Sequence, residues 1–132
     1  MKETTEINAP KTAKGRIVAY WIITGIIATE LAVGAVWDIM KIPFVKEVME
    51  HLGYPDYFLT FMGLWKAPGV IVLLIPKFPR LKEWVYAGMI FTYSGAAFSH
   101  FAMGDGVHSV DPLVFAGLTL ASWALRPPSR RY

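Results

Sequence analysis

The sequence contains no cysteine, and this absence removes several kinds of chemistry. Without thiols the chain forms no disulfide, runs no thiol–disulfide exchange and holds no iron–sulfur cluster through thiolates. The sequence also shows no recognisable nucleotide-binding motif and no pair of histidines at one depth that would suit haem. Any redox chemistry would therefore need a bound small molecule or a partner protein.

Charged residues are scarce as well. They make up 17% of the 132 residues, whereas 55% are hydrophobic, and the mean hydropathy is +0.41. A soluble domain of this size would have difficulty burying so much apolar surface, and a lipid bilayer removes that need. The composition therefore predicts an integral membrane protein whose first partner is the bilayer.

Four long apolar segments predict the fold. They cover residues 17–37, 58–75, 84–103 and 110–125, each near the roughly 17–25 residues of a membrane-spanning helix, with the fourth a little short. Only helices and closed barrels satisfy their backbone polar groups in lipid, and short loops make consecutive helices antiparallel neighbours. We therefore predict an all-α membrane protein with four transmembrane helices in an antiparallel up-down bundle.

The loop between the first two segments carries its own helical pattern. Apolar residues recur on one side from Phe44 to Leu52, charged residues lie on the other side, and Gly53 ends the run. This pattern predicts a short amphipathic helix on the outer membrane surface. A plain connector between the two spans fits the same residues.

Basic residues set the predicted orientation. Ten of them fall on the side of the two termini and the loop at 76–83, against only Lys41 and Lys46 on the other side. The positive-inside rule then places both termini in the cytoplasm, as in a multi-pass protein of a bacterial or archaeal inner membrane. Residues 1–15 are predicted to be a flexible tail, 16–126 the membrane domain and 127–132 a basic tail. The net charge of +3 thus reflects topology, and no nucleic-acid partner is expected.

Two opposite charges interrupt the first two spans, namely Glu30 and Lys66. Each lies about eight residues below the outer surface, so a rise of 1.5 Å per residue puts both roughly 12 Å deep. An ionisable group in hydrocarbon is costly and is a functional candidate by default. A structural ion pair that fixes helix register is the other interpretation, because a buried pair is weak evidence for function or stability.

The third segment adds candidates on one helical face. His100 lies near the outer end, and Tyr93 is seven residues earlier, one heptad deeper. With Glu30 and Lys66 they would form a polar column that opens outward. The residues around its mouth would be Ser99, Asp105, His108, Asp111 and Asp38. Asp105, His108 and Asp111 carry metal-capable side chains, but a loop containing Gly104 and Gly106 fixes no geometry for them. We therefore predict no metal site.

Several local segments resemble the DoxX-like family of small four-helix membrane proteins. They are GYPDYF at 53–58, GLWKAPG at 63–69, PRLKEWVYAG at 79–88, GAAFSH at 95–100 and Gly104-Asp105. The resemblance spans about residues 16–126, and the Leu-Lys-Glu-Trp and Ser-His segments in this order are its more specific parts. It implies a central site at Glu30, Lys66 and His100. The polar column derived from depth and helical face adds Tyr93, Ser99 and Asp105 as ligand-binding neighbours.

The function that the resemblance implies is broad. Name-giving members are associated with thiosulfate:quinone oxidoreduction, others look like partners of redox enzymes, and distant relatives resemble membrane chaperones. The first hypothesis is therefore a quinone-linked or redox-associated protein with quinone as its cofactor, a lipophilic small molecule as its ligand and a redox protein as its partner.

Two other functions fit the same residues. One is a non-catalytic subunit that binds a lipophilic ligand or assists a membrane complex. The other is a proton-coupled transporter, which would need a homo-oligomer because four helices are few for alternating access. The sequence alone leaves open whether the protein is an enzyme.

Overall fold

The computed structural model describes the backbone of residues 2–131 and the side chains of residues 13–131, and this part of the chain is helical without any strand. The five α-helices are α1 Lys2–Met40, α2 Pro43–Leu52, α3 Tyr57–Leu74, α4 Pro79–Ala102 and α5 Val110–Ala124. Two short 3-10 helices follow α4 and α5, at Gly106–Ser109 and Pro128–Arg130. The predicted all-helical fold is thus confirmed.

Two helices are long and apolar enough to cross a membrane. They are the described part of α1, Ala13–Met40, and the whole of α3. The other two predicted spans form helices at the expected places, α4 and α5, but neither meets the same criteria of length and composition. The count of four spans therefore stays a prediction.

The short helix predicted between the first two segments is confirmed as α2. Pro43 occupies its first turn, where a missing N–H costs nothing. Gly53 ends it in the left-handed conformation with φ of 84°, and its N–H donates to the carbonyl of Glu50. Glycine adopts this backbone without strain, which explains why the helix stops there.

The two segments predicted as tails have defined backbone structure. Helix α1 begins at Lys2, so the helix of the first apolar segment extends back through residues 2–15, and extending an existing helix avoids the cost of nucleation. At the other end, Arg130 is buried and donates from Nη1 and Nη2 to the carbonyls of Leu73 and Leu74, at 3.0 and 2.9 Å. These are free carbonyls at the end of α3, so the segment docks instead of remaining a loose basic tail.

The core lies where α1, α3 and α4 meet. Its buried members are Ile27, Ala28, Leu31, Leu73, Val85, Tyr86, Met89 and Tyr93. Gly63 allows α3 to approach α1 closely, since a Cβ at that position would lie 2.4 Å from Cγ1 of Ile39 and 3.1 Å from the carbonyl oxygen of Ala35. This close contact sets the relative position of the two helices that carry Glu30 and Lys66.

Two ends of the fold are defined by their contacts. At the end that we call the terminal end, Arg16 donates to the carbonyl of Ala124 and Arg130 reaches α3. At the opposite end, called the loop end, Tyr54 bonds Ser99 and His51 bonds Asp105. The predicted site residues lie between the middle of the fold and the loop end.

Candidate functional site

A cavity of about 610 Å³ opens at the loop end. It lies between α2, the end of α4 and the start of α5, and both apolar and titratable side chains line it. The lining residues are Phe44, Glu47, Val48, His51, His100, Asp105, His108, Asp111 and Pro112. The chain has three histidines, and all three line this cavity.

Asp105 connects the elements around the cavity. Its Oδ2 lies 3.0 Å from Nε2 of His51 on α2 and 3.1 Å from Nδ1 of His100 on α4. The turn at Gly104, with φ of 79°, and the N–H of Asp105, which donates to the carbonyl of His100, fold the carboxylate back over the helix end. A carboxylate accepts, so each imidazole presents an N–H to it, which fixes the orientation of both rings.

The same contacts change the acidity of Asp105. Burial alone would raise its pKa, but the hydrogen bond and charge of His100, followed by those of His51, outweigh burial and hold the pKa of the carboxyl below its ordinary value. Asp105 therefore remains an ionised acceptor between two imidazoles. The ring centroids of His100 and His108 are 5.9 Å apart, so a third imidazole stands beside this pair.

The predicted pairing of Glu30 with Lys66 is wrong. Lys66 instead donates from Nζ to Oδ2 of Asp38 at 2.9 Å, with side chains 13% and 8% exposed. Gly34 faces both charges of the predicted pair, since a Cβ there would lie 3.2 Å from Lys66 Nζ and 3.9 Å from Glu30 Oε1. The missing side chain at Gly34 leaves room for the ammonium to reach past Glu30 toward the loop end.

Glu30 has a partner of its own. The hydroxyl of Tyr93 on α4 donates a short hydrogen bond to Oε2 of Glu30. Tyr93 is 7% exposed and stacks on Phe115 of α5, with ring centroids 5.7 Å apart. The predicted placement of Tyr93 near Glu30 is therefore found, and it joins α1 to α4.

The predicted site residues thus fall into separate groups. His100 and Asp105 line the loop-end cavity, whereas Glu30, Tyr93 and Lys66 are absent from its lining. Ser99 also lies outside it, and its hydroxyl bonds the hydroxyl of Tyr54 at 2.8 Å. In place of a single column from Glu30 to the mouth, the structure has two separate contacts between helices and one pocket at the loop end.

The arrangement around the pocket also bears on metals. Among the residues whose side chains are described, no group of three or more His, Asp or Glu side chains is placed to hold a metal ion. Asp105 instead accepts from two imidazoles.

Two kinds of residue are not assigned to their partners from the sequence. His51 is predicted only as part of the amphipathic helix between Phe44 and Leu52, and Asp38 only as part of the mouth of the column. The four-residue spacing of Glu30, Gly34 and Asp38 is the signal that links Asp38 to the charged row. A buried polar cluster nearer the terminal end was missed altogether. In it, the hydroxyl of Ser122 lies 2.7 Å from those of Thr24 and Tyr86.

Comparison with known proteins gives one family match. The sequence model of the DoxX-like family matches residues 22–122, which includes every described contact between Glu30, Tyr93, Lys66, Asp38 and the three histidines. No curated protein and no solved structure matches the chain. The family is one of membrane-associated proteins, in keeping with the two long apolar helices. Because the match extends over most of its length, the chain belongs to the DoxX-like family.

Proposed function

We propose that this chain is a multi-pass membrane protein whose loop-end cavity binds the polar head group of a lipophilic small molecule of the quinone class. The observation that carries this proposal is the convergence of His51, His100 and His108 on one cavity. These histidines come from three different structural elements, and histidines scattered at random over the surface would not be expected to line the same cavity. In this proposal the cavity faces outward and both termini are cytoplasmic.

Membrane embedding is supported by side chains that the fold leaves uncovered. Phe91 and Phe98 on α4 are 77% and 74% exposed, and Phe61 and Leu64 on α3 are 60% and 64% exposed. Water-soluble monomers rarely expose contiguous apolar surface on this scale, whereas lipid covers it without cost. We therefore assign α1, α3, α4 and α5 as four antiparallel spans, with α2 lying at the outer surface.

The cavity suits a quinone head group in size and chemistry. Its volume of about 610 Å³ lies within the range of sites for small organic ligands. Phe44, Val48 and Pro112 offer apolar contact to a ring. Because His51 and His100 direct their N–H groups to Asp105, a quinone carbonyl oxygen would accept from His108, and Nε2 of His100 would accept from a hydroxyl of the reduced ligand. A bound quinone supplies two-electron chemistry, which this chain does not carry in thiols or thiolate-held clusters.

The residues of the chain would bind the ligand and move protons. His100 uses Nδ1 for Asp105, so its Nε2 is the ring atom that would exchange a proton with a ligand oxygen. Asp105 would orient the ring, because its carboxylate accepts from Nδ1 and leaves Nε2 for the ligand. In this arrangement Glu30 and Lys66 hold the helices that frame the cavity, and electrons come from a partner protein.

Quinone binding by the gently solubilised protein tests this function. We would add ubiquinone and menaquinone with short isoprenoid tails and measure retention by native mass spectrometry. His108→Ala should weaken retention by about tenfold, since one hydrogen bond to the ligand is lost. Glu50→Gln on α2, outside the cavity lining, is the matched control and should bind like the wild type. Equal retention in both variants, or none in the wild type, would contradict the proposal.

A non-catalytic accessory or chaperone subunit is the second candidate, and one observation favours it. Trp84, Phe91 and Phe98 recur every seven residues along α4, and each is more than 70% exposed. Such a stripe suits contact with another membrane helix as well as with lipid. Photo-crosslinking from position 91 in membranes would capture one reproducible protein partner if the accessory role is correct, and only lipid if it is not.

A further inference from the structure

A second cavity, of about 220 Å³, lies at the terminal end and is strongly basic. Arg16 of α1 and Arg126 and Arg131 from the segment after α5 line it, and the remaining lining residues carry no charge. They are Ala13, Ile17, Leu125, Pro127 and Pro128. Among the residues with described side chains, three guanidinium groups thus share one small space, and no carboxylate lies in its wall.

Main-chain carbonyls fix the positions of these three side chains. Arg16 donates from Nη2 to Ala124 at 3.3 Å, Arg126 from Nε to Trp123 at 2.7 Å, and Arg131 from Nε to Arg126 at 2.9 Å. A carbonyl oxygen satisfies an N–H but does not neutralise the positive charge. The guanidinium groups are therefore held in place while most of their charge remains uncompensated.

Only one carboxylate comes into contact with this group in the part of the chain with described side chains. Glu83 pairs with Arg126, and neither Arg16 nor Arg131 has an ion-pair partner there. Burial, and after it the charge of Arg131, lowers the pKa of Arg126 from its ordinary value. The like charges are thus close enough to repel each other, and an anion in the cavity would relieve that repulsion.

We propose that this cavity binds the phosphate group of an anionic phospholipid. The planar guanidinium fork matches two phosphate oxygens, and arginine is the side chain best suited to such contacts. Ile17 and Leu125 give the same cavity apolar walls, along which an acyl chain can run. Free phosphate can bind the arginines equally well, but it has no acyl chain that would contact those apolar walls.

The surroundings place the cavity at the depth of lipid head groups. The guanidinium carbon of Arg126, which lines the cavity, lies 4.8 Å from the ring centroid of Trp123. Trp21 lies at the same end of the fold, where its ring centroid is 4.6 Å from the guanidinium carbon of Arg130. Tryptophan concentrates at the membrane–water interface, and basic pockets between spanning helices are known head-group sites. The inference rests on the proposed membrane embedding but is independent of any ligand at the loop end.

Lipid retention tests the proposal directly. The protein would be reconstituted in vesicles of phosphatidylglycerol and phosphatidylcholine, extracted gently and examined by native mass spectrometry. The wild type should keep phosphatidylglycerol in preference to phosphatidylcholine, and the double variant Arg16→Gln, Arg131→Gln should lose at least about tenfold of that preference. Lys14→Gln removes one charge at the same end, outside the cavity lining, and should retain the lipid.

Further variants separate specific binding from general attraction. Arg16→Lys with Arg131→Lys keeps both charges but loses the planar fork, so it should fall between the wild type and the double glutamine variant. Circular dichroism checks that all variants remain folded. Equal preference in the double glutamine variant and in Lys14→Gln would overturn the proposal, as would equal retention of both lipids by the wild type.

A soluble anion provides the remaining arm. Inorganic phosphate at millimolar concentration should leave lipid retention unchanged. If phosphate displaces the lipid, the site is one for free phosphate and the lipid assignment fails. The same conclusion follows if phosphate raises the melting temperature of a protein that binds no lipid. Quinone retention should be the same in the arginine variants as in the wild type. A failure at the terminal end is thereby distinguished from a failure of the loop-end ligand hypothesis.

Discussion

Lys66 on α3 donates a hydrogen bond of 2.9 Å to Asp38 on α1, and both side chains are largely buried. This contact joins the two helices that are long and apolar enough to span a membrane. A buried ion pair costs desolvation, so it contributes less to stability than to the choice of one helix register. Its partners are therefore interdependent, and the cost of removing one depends on whether the other remains.

The Lys66–Asp38 pair can be tested with a double-mutant cycle. Asp38→Leu leaves the ammonium of Lys66 buried without a counter-charge and should lower stability by about 3 kcal/mol. Lys66→Met should be comparably harmful, whereas the double variant should recover most of the loss because no charge remains buried. Thermal unfolding in one detergent measures all four proteins. Losses that simply add in the double variant would show that the two side chains do not interact.

The Glu30–Tyr93 contact predicts a second loss and its rescue. Tyr93→Phe removes the hydroxyl that donates to Glu30 and should cost about 1 kcal/mol, because a partly buried acceptor is left without its donor. Adding Glu30→Leu to Tyr93→Phe removes the unsatisfied carboxylate and should restore part of the stability. Chemical unfolding, followed by tryptophan fluorescence, measures both. A Tyr93→Phe variant as stable as the wild type would show that the bond adds nothing.

The close approach of α1 and α3 at Gly63 predicts a strong steric effect. Gly63→Ala would place a methyl group 2.4 Å from Cγ1 of Ile39 and 3.1 Å from a backbone oxygen, so the helices must separate. We expect a loss of about 1–3 kcal/mol from overpacking. Gly25→Ala is the matched control, since nothing lies within 4 Å of the added atom and alanine favours the helix. Equal melting temperatures for the two variants would contradict the packing argument.

The hydrogen bonds of Asp105 with His51 on α2 and His100 on α4 predict how the attachment of α2 depends on pH. The pKa of this carboxyl is lower in the folded protein than its ordinary value of 3.8. A depressed pKa means that the stabilisation is fully present above the unfolded value and is lost as pH falls through the folded value. Wild type should therefore exceed Asp105→Asn in melting temperature at pH 6, and the difference should shrink below about pH 4. A difference independent of pH would assign the effect to packing.

The docking of the C-terminal segment gives the fifth prediction. Arg130→Ala removes two donors to the end of α3 and the contact with Trp21, so residues after α5 should become open to solvent. Hydrogen exchange should rise at the end of α3 and in residues 126–131, with little change at α2. Arg131→Ala serves as the control, because its Nε bonds only the neighbouring segment. Unchanged exchange in Arg130→Ala would contradict the proposed docking.

The sequence predicts the positions of the helices better than it predicts which side chains contact each other. The four apolar runs predict α1, α3, α4 and α5 to within a few residues at most ends, because burial in lipid or core imposes a continuous apolar length. Gly53 predicts the end of α2 through its backbone conformation. Depth counting also brings Glu30 and Lys66 to the same level, and both indeed face Gly34.

Which charged side chains pair with each other depends on the tertiary structure. One residue along a helix turns a side chain by about 100°, and rotation about the helix axis cannot be counted from the sequence. The contact at Gly63 sets how α3 sits on α1, and the space at Gly34 lets Lys66 reach Asp38 and leaves Glu30 to Tyr93. His51 meets Asp105 only because α2 folds over the end of α4. The positions of the helices, and of the charges that interrupt them, can be predicted from the sequence because they depend on local composition. Which charged side chains contact each other depends on packing between segments that are distant in the sequence.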